Sequence, residues 1–441
     1  MKRAAATILP LVLLALATPG RAADPADPPT HYAVKPGDNL YKLGAAYLQR
    51  PNDYRAVQRS NSIQNPRRIR PGSTLSIDAA LLKARPIEAH LTAFSGDVRV
   101  ESASGSTPAK VGMTVVEGQR LVTGPNAFAT FELSDGSRLT VPSNSGLRIV
   151  HLRDVLLTGQ PDRVFQLEQG RSDISATPNH DPNARFEVIT PASVSAVRGT
   201  EFRASETGAG RWATEVLEGV VAVSPPSAAG GEVLTAKGFG VSASTAGVGP
   251  PTPLLPPPDL AHGGRTQEDV EVAFEIVPVP GAASYRLQLA RDAGFVDLLA
   301  ETVTPTPRAT FHELADGTFF ARATAIDAGG LEGLPSTYGF ERDLNVVEPG
   351  HPPAVERTGR RRRYVFRWSA VGEGVRTYRF QLYADTGLTH AVADLPGLTE
   401  PQVALTDLPA GLYHWRTSAV RWKAGRFTEK LGPVQDVRIG E

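Results

Sequence analysis

Cysteine is absent from all 441 residues, which removes every thiol nucleophile, thiolate metal ligand and disulfide, and any lipidated N-terminal cysteine. Cysteine-dependent wall peptidases and transpeptidases are thereby excluded. Net charge is missing as well: 46 basic residues balance 46 acidic ones, so no overall field draws the chain towards nucleic acid or an anionic membrane. Aromatic residues make up only 7%, whereas glycine (42) and proline (37) are abundant, a balance that indicates many short strands joined by turns rather than long helices. Long apolar runs are scarce too. Behind the positive start Met1-Lys2-Arg3, Ala4 to Ala17 has the length of a signal-peptide core and is too short to span a bilayer comfortably. Small residues at Gly20 and Ala22 place cleavage after Ala22, so residues 1–22 are expected to be removed, leaving a periplasmic, wall-associated protein with no membrane span.

What is present divides into pieces, because 441 residues exceed one compact core and domains usually run to roughly 100 to 200 residues. After a Pro/Asp-rich lead (23–30), the segment HYAVKPGDNLYKLGAAYL combines a short alternating strand at Tyr32 and Val34, a Pro36-Gly37 turn, and Leu40, Leu43 and Tyr47 at helical spacing. Asp38 stands where a helix N-cap is expected. Asp53 signals a second helix through Tyr54 and Val57, and a Pro71-Gly72 turn leads to a closing strand at Leu75 and Ile77. The order is strand, helix, helix, strand.

On these residues, with Asn61, Ile63 and Ile69, positions 31–78 resemble a LysM domain, the small βααβ module that binds N-acetylglucosamine-containing glycans. Asn39 stands where that family usually has Thr or Ser, and Tyr41 where Trp is frequent. The resemblance implies a shallow sugar groove between the first strand-to-helix loop and the loop after the second helix. Here those loops supply Gly37, Asp38, Asn39 and Leu40 on one side and Asn61, Ser62, Ile63 and Asn65 on the other. In this expectation Gly37 lets the backbone approach the sugar, Asn39 offers donor and acceptor, and Leu40 and Ile63 give apolar surface to the acetyl group.

From 90 to 244 the chain shows short alternating runs such as Val98-Val100, Ala129-Phe131-Leu133 and Phe165-Leu167, punctuated by the hairpin dipeptides Asp135-Gly136 and Glu218-Gly219. A β domain of sandwich or solenoid type is expected. EGQRLVTGPNAFATFELSDGSRLTV (117–141), FEVITPASVSAVRGTEF (186–202) and EVLEGVVAV (215–223) resemble the FecR domain, a periplasmic β module of iron-uptake regulators and other exported proteins. The regulators act on a sigma factor through a cytoplasmic segment and a membrane span ahead of that module. Here a signal-like start and the LysM-like unit precede it, so that role is not carried over.

Six prolines between Gly247 and Pro258 predict an extended, semi-rigid linker over 245–262 that is open to proteolysis. Beyond it YRLQLARDAGF (285–295) parallels YRFQLYADTGL (378–388) at an offset of 93 residues, and LADGTFFARATAI (314–326) parallels LPAGLYHWRTSAV (408–420) at 94. That period is the size of one immunoglobulin-like sandwich, and the copies, 263–345 and 355–439, resemble fibronectin type III domains. Trp368, Tyr378, Leu408 and Tyr413 suit core and corner positions, with Phe319 replacing Tyr413 in the first copy.

Catalytic and metal chemistry find no support. Nine histidines form no HExxH or HxH pattern, so neither a metal nor another cofactor is expected. Glu101-Ser102 ends a strand, and Asp135 and Glu218 read as turn residues rather than a glycosidase pair. Arg360 to Arg363 is read as a solvated loop ahead of a Tyr364-Phe366-Trp368 strand, with an anionic glycan contact as the alternative. The expected protein is mainly β and non-enzymatic: an adaptor that binds peptidoglycan or a related glycan and contacts an envelope protein. A wall hydrolase or a FecR-type regulator of sigma-factor signalling is the alternative.

Overall fold

The computed structural model describes residues 27–227, 231–262, 265–350, 353–358, 361–423 and 425–440. The signal-like segment 1–22 and Arg360 lie outside them. Among the described residues no helix is long and apolar enough to cross a membrane.

The first unit is β1 (Thr30–Ala33), α1 (Leu40–Tyr47), α2 (Tyr54–Ser60) and β2 (Thr74–Ile77). β1 and β2 pair antiparallel, Tyr32 opposite Leu75. Tyr32, Val34, Leu40, Leu43, Val57, Leu75 and Ile77 form its core, and Leu157 from the β domain packs into the same cluster.

The β domain consists of two ten-stranded sheets. Strand order in each sheet follows the chain almost monotonically while the chain alternates between sheets, so the domain is a sandwich laid down in the manner of a solenoid. Every second residue points inward. Leu91, Phe131, Ile174 and Phe202 from one sheet meet Leu147, Phe165, Val188 and Val221 from the other. Phe131 and Phe165 lie 6.0 Å apart across the layers. In the Asp135-Gly136 turn Asp135 accepts from the Ser137 N–H at 2.8 Å and Gly136 has φ +84°, while Glu218 pairs with Lys237 at 2.6 Å; both carboxylates serve hairpins. Gly199, in VRGTEF, has φ +100° and faces Pro178 so closely that a Cβ would sit 2.3 Å from its Cα.

The proline-rich stretch is extended, as its prolines require, but it is not an open linker. Gly247–Val248 and Thr252–Pro253 both pair with the strand Phe239–Ser244. Leu254 and Leu260 are buried, Leu254 against Ala213 and Leu331. The stretch is a strap, because its backbone hydrogen bonds and two leucines are satisfied by the flanking units.

Two sandwiches follow. The first packs a four-stranded sheet on the pair Val272–Glu275 and Arg308–Phe311, around Phe274, Leu287, Leu289 and Phe340. The second centres on Phe366, Trp368, Phe380 and Trp415. Tyr413 OH donates to the Pro409 carbonyl at 3.0 Å, a corner bond that Phe319 in the first copy has no hydroxyl to make. The arginine run is strand rather than loop: Arg361–Val371 is continuous, Arg362 donates to the Gly440 carbonyl and Arg363 pairs with Glu356.

The same turn of each copy faces the preceding unit. In the first, Leu331, Glu332 and Gly333 meet the β domain and the strap. In the second, at the equivalent hairpin, Arg421 and Lys423 bond Asp343, and Lys423 also bonds Asp316. Charge is reversed between the two contacts, so the copies are not interchangeable.

Candidate glycan-binding site

Pro36 and Gly37 reverse the chain after β1. Gly37 has φ +90° with open space around its Cα, so exposed backbone lies at the loop tip. Asp38 is not the helix cap. Its carboxylate accepts from Tyr32 OH at 2.7 Å and from the Lys35 N–H at 2.8 Å, closing the turn onto β1. Burial, then the bond and charge of Asp38, push the Tyr32 phenol up to about 12. Asn39 caps α1: its backbone is extended (φ −148°, ψ 161°) and its Oδ1 accepts from the Lys42 N–H at 2.9 Å.

Leu40 offers no surface to a sugar. Only 1% of it is exposed, and its N–H donates to the Pro66 carbonyl at 2.9 Å. That bond ties the first loop to the second. Position 40 begins α1 on its inward face, which fixes the side chain in the core.

On the second loop Asn61 is likewise committed to the fold. Its Nδ2 donates to the Val57 and Ser76 carbonyls at 2.8 and 2.7 Å, and its Oδ1 accepts from the Ser76 N–H at 2.7 Å. Asn61 thus locks α2 to β2 and holds the loop open. Ser62 is exposed and left-handed (φ +53°). Ile63 is half-buried against the core, its N–H donating to the Gln58 carbonyl while Gln58 Nε2 donates back to the Ile63 carbonyl, each at 2.9 Å. Asn65 is exposed and spends its Oδ1 on the Arg67 N–H at 3.0 Å.

The eight expected residues therefore divide. Gly37, Ser62 and Asn65 are exposed, and Asn39 and Ile63 are partly so. Asp38, Leu40 and Asn61 shape the loops that present them. The eight residues leave out an aromatic pair: Tyr41, 43% exposed, lies 4.6 Å ring to ring from the half-buried Tyr54, with the Arg67 guanidinium 6.0 Å over its face. Tyr41 sits one residue past a buried helix start, so helical periodicity alone turns it outward.

The module is set firmly on the β domain. Leu157 is 8% exposed in the module core, the Lys83 N–H donates to the Tyr47 carbonyl at 2.7 Å, and the strand Ala84–Pro86 pairs with Gly146–Val155. The Asp162 carboxylate is buried beside His151, Arg153 and Arg185, and despite desolvation those partners hold it below the usual carboxylate range. Among the described residues no group of three or more His, Asp or Glu side chains could hold a metal ion.

Residues 32–78 match the model of the LysM domain and residues 119–222 that of the FecR protein family. Both are families of non-catalytic binding or regulatory domains. Among curated proteins no relative matches. Of the solved structures, a candidate anti-sigma factor from Parabacteroides distasonis is similar at 16% identity and TM-score 0.25, over 30% of this chain and 59% of that one. The chain thus spans under two thirds of that structure's length. Fibronectin(III)-like modules of Clostridium thermocellum CbhA are similar at 11% identity and TM-score 0.18, over 41% of this chain and 93% of theirs.

Proposed function

From a chain that carries a LysM domain, a FecR domain and two fibronectin-like sandwiches, we propose an exported, non-enzymatic adaptor of the bacterial envelope. A LysM domain implies glycan binding and association with the cell wall. In this reading the groove takes an N-acetylglucosamine-containing strand of peptidoglycan. The Gly37 backbone, Asn39 Nδ2, Ser62, Asn65 and the flank of Ile63 contact the sugar, and Tyr41 extends the surface. The β domain and the sandwiches present a surface to another periplasmic protein.

The observation that supports this best is the division of labour in the two loops. Asp38, Leu40 and Asn61 are consumed in fixing loop shape, and what they hold outward is backbone and short polar side chains. Such a groove is small, so single-site affinity should be weak, on the order of micromolar or poorer. Retention on the wall then depends on many accessible sites.

The test is sedimentation of the full chain with purified sacculi, beside Gly37→Trp and Ile63→Glu. Both substitutions should abolish co-sedimentation while far-UV circular dichroism is unchanged; sedimentation equal to wild type overturns the reading. Release of soluble muropeptides by the purified chain would favour a wall hydrolase instead.

A further inference from the structure

A cleft of about 880 Å³ lies between the LysM module and the β domain. Ala56 and Ser60 of α2, Ser76 of β2 and Ala80 form part of one wall, and Val164, Gln166 and Ile189 part of the other. Because Leu157 and the Ala84–Pro86 strand hold the module against the β domain, the cleft is preformed. It also borders the second groove loop. Asn61, which opens the second groove loop, donates to Ser60 Oγ at 3.1 Å and bonds the Ser76 backbone in both directions, and Ser60 and Ser76 line the cleft.

We propose that this cleft is a second subsite, which takes the short peptide carried by the wall glycan while the sugar lies in the groove. The inference rests on the glycan-binding reading above. Three observations select a peptide over more sugar. Among the described residues no Trp, Tyr or Phe lines the cleft, so no aromatic platform is offered to a pyranose ring. The apolar lining is aliphatic, with Ala56, Ala80, Val164 and Ile189 suited to short side chains such as alanine. Charge is present as well: the Asp27 carboxylate and the Arg185 guanidinium pair with each other at 2.6 Å, and the Asp78 carboxylate stands apart from that pair as a partner for a peptide's free amine. Asp78 is exposed, one oxygen accepting from the Ala80 N–H at 2.9 Å.

A ligand bridging groove and cleft gains from the effective concentration of its second half. The experiment uses the full chain and measures calorimetric affinity for peptide-bearing wall fragments, for the same fragments after an amidase has removed the peptide, and for chitin oligomers. The peptide-bearing fragments should bind on the order of tenfold more tightly than the stripped ones. Ala80→Trp and Gln166→Trp, which fill the cleft from opposite walls, should each erase that difference, leaving stripped-glycan affinity and the thermal midpoint at wild-type values. Equal wild-type affinity for the two fragments, or an advantage that survives both substitutions, overturns the subsite. Binding of peptide-bearing fragments without any affinity for stripped glycan or chitin keeps the subsite and overturns the groove. Binding of none overturns both.

Discussion

Glu332 of the first sandwich lies 3.0 Å from Arg203 of the β domain, with 2% and 5% of the two side chains exposed. The same carboxylate receives Arg171 and, at 3.3 Å, Arg286 and accepts from Thr324 Oγ1 at 2.8 Å, while its backbone N–H donates to Glu215. Despite burial, the three guanidiniums hold it well below the usual carboxylate range. One carboxylate is therefore shared by three arginines drawn from two units, with Glu301 also pairing Arg286.

Removing it takes the carboxylate from Arg171 and the buried Arg203, and leaves Arg286 with Glu301 alone. Glu332→Ala should lower stability by about 3–5 kcal/mol, several times the effect at an exposed pair such as Lys237 with Glu218. Denaturant unfolding of the full chain checks this; a loss under about 1 kcal/mol would show that the cluster contributes little to the interface.

The same cluster gives stability an unusual pH profile. Burial raises Glu215 to about 7 from an ordinary 4.5, so the folded state holds a proton that the unfolded state releases across that window. Its contribution is fully present below about 4.5 and is lost as pH rises through about 7. Glu332 has the opposite sign: its contribution is present above 4.5 and lost as acid reaches its depressed value. The thermal midpoint should thus climb as pH falls from 8 towards 5 and drop in stronger acid. Glu215→Gln should flatten the limb between 5 and 8; an unchanged slope there assigns it to other groups.

Capping and sugar contact can be separated at one atom. Asn39→Asp keeps the oxygen that accepts from the Lys42 N–H but loses the Nδ2 donor, whereas Asn39→Ala loses both. The alanine variant should lose about 1 kcal/mol of stability and the aspartate variant little. Chitin-oligomer affinity should fall in both. An aspartate variant that binds as wild type removes Asn39 from the sugar contacts.

The strap should resist proteases. With Gly247–Val248 and Thr252–Pro253 paired and Leu254 buried, limited elastase digestion should spare 245–260 in the native chain. Leu254→Asp, which places a charge against Ala213 and Leu331, should expose the stretch to cleavage. Mass spectrometry of early fragments decides the matter: native cleavage there as fast as in the variant would mean that the strap opens readily.

Local chemistry was legible in the sequence. The Gly37 and Pro71-Gly72 turns, the alternation of Phe165 and Leu167, the hairpin at Asp135-Gly136 and the 94-residue repeat depend on residues within a few positions of one another, or on their recurrence, and the structure realises each. Even there, selection between neighbours was not legible. Asp38 and Asn39 can both cap, and the nearby Tyr32 hydroxyl and Lys35 N–H draw Asp38 to the turn, leaving Asn39 to the helix.

What only tertiary structure decided is which groups are covered. Leu40 and Ile63 look alike as apolar loop residues, but the helical start turns Leu40 to the core. Leu157 lies in a β-domain turn yet completes the LysM core, so a fragment lacking residues 31–78 would bare it to water; point substitutions in the full chain are therefore the sounder probe of wall binding. Six prolines specify an extended backbone but not whether a sheet edge lies alongside it. Glu332 and Arg203 are 129 positions apart, and nothing in their immediate neighbours distinguishes them from solvated surface charges. A sequence carries the local conformational preferences of its segments, whereas burial belongs to whatever surface arrives from elsewhere in the chain. Here that surface makes a linker into a strap and an apparent surface charge into the shared partner of arginines across an interface.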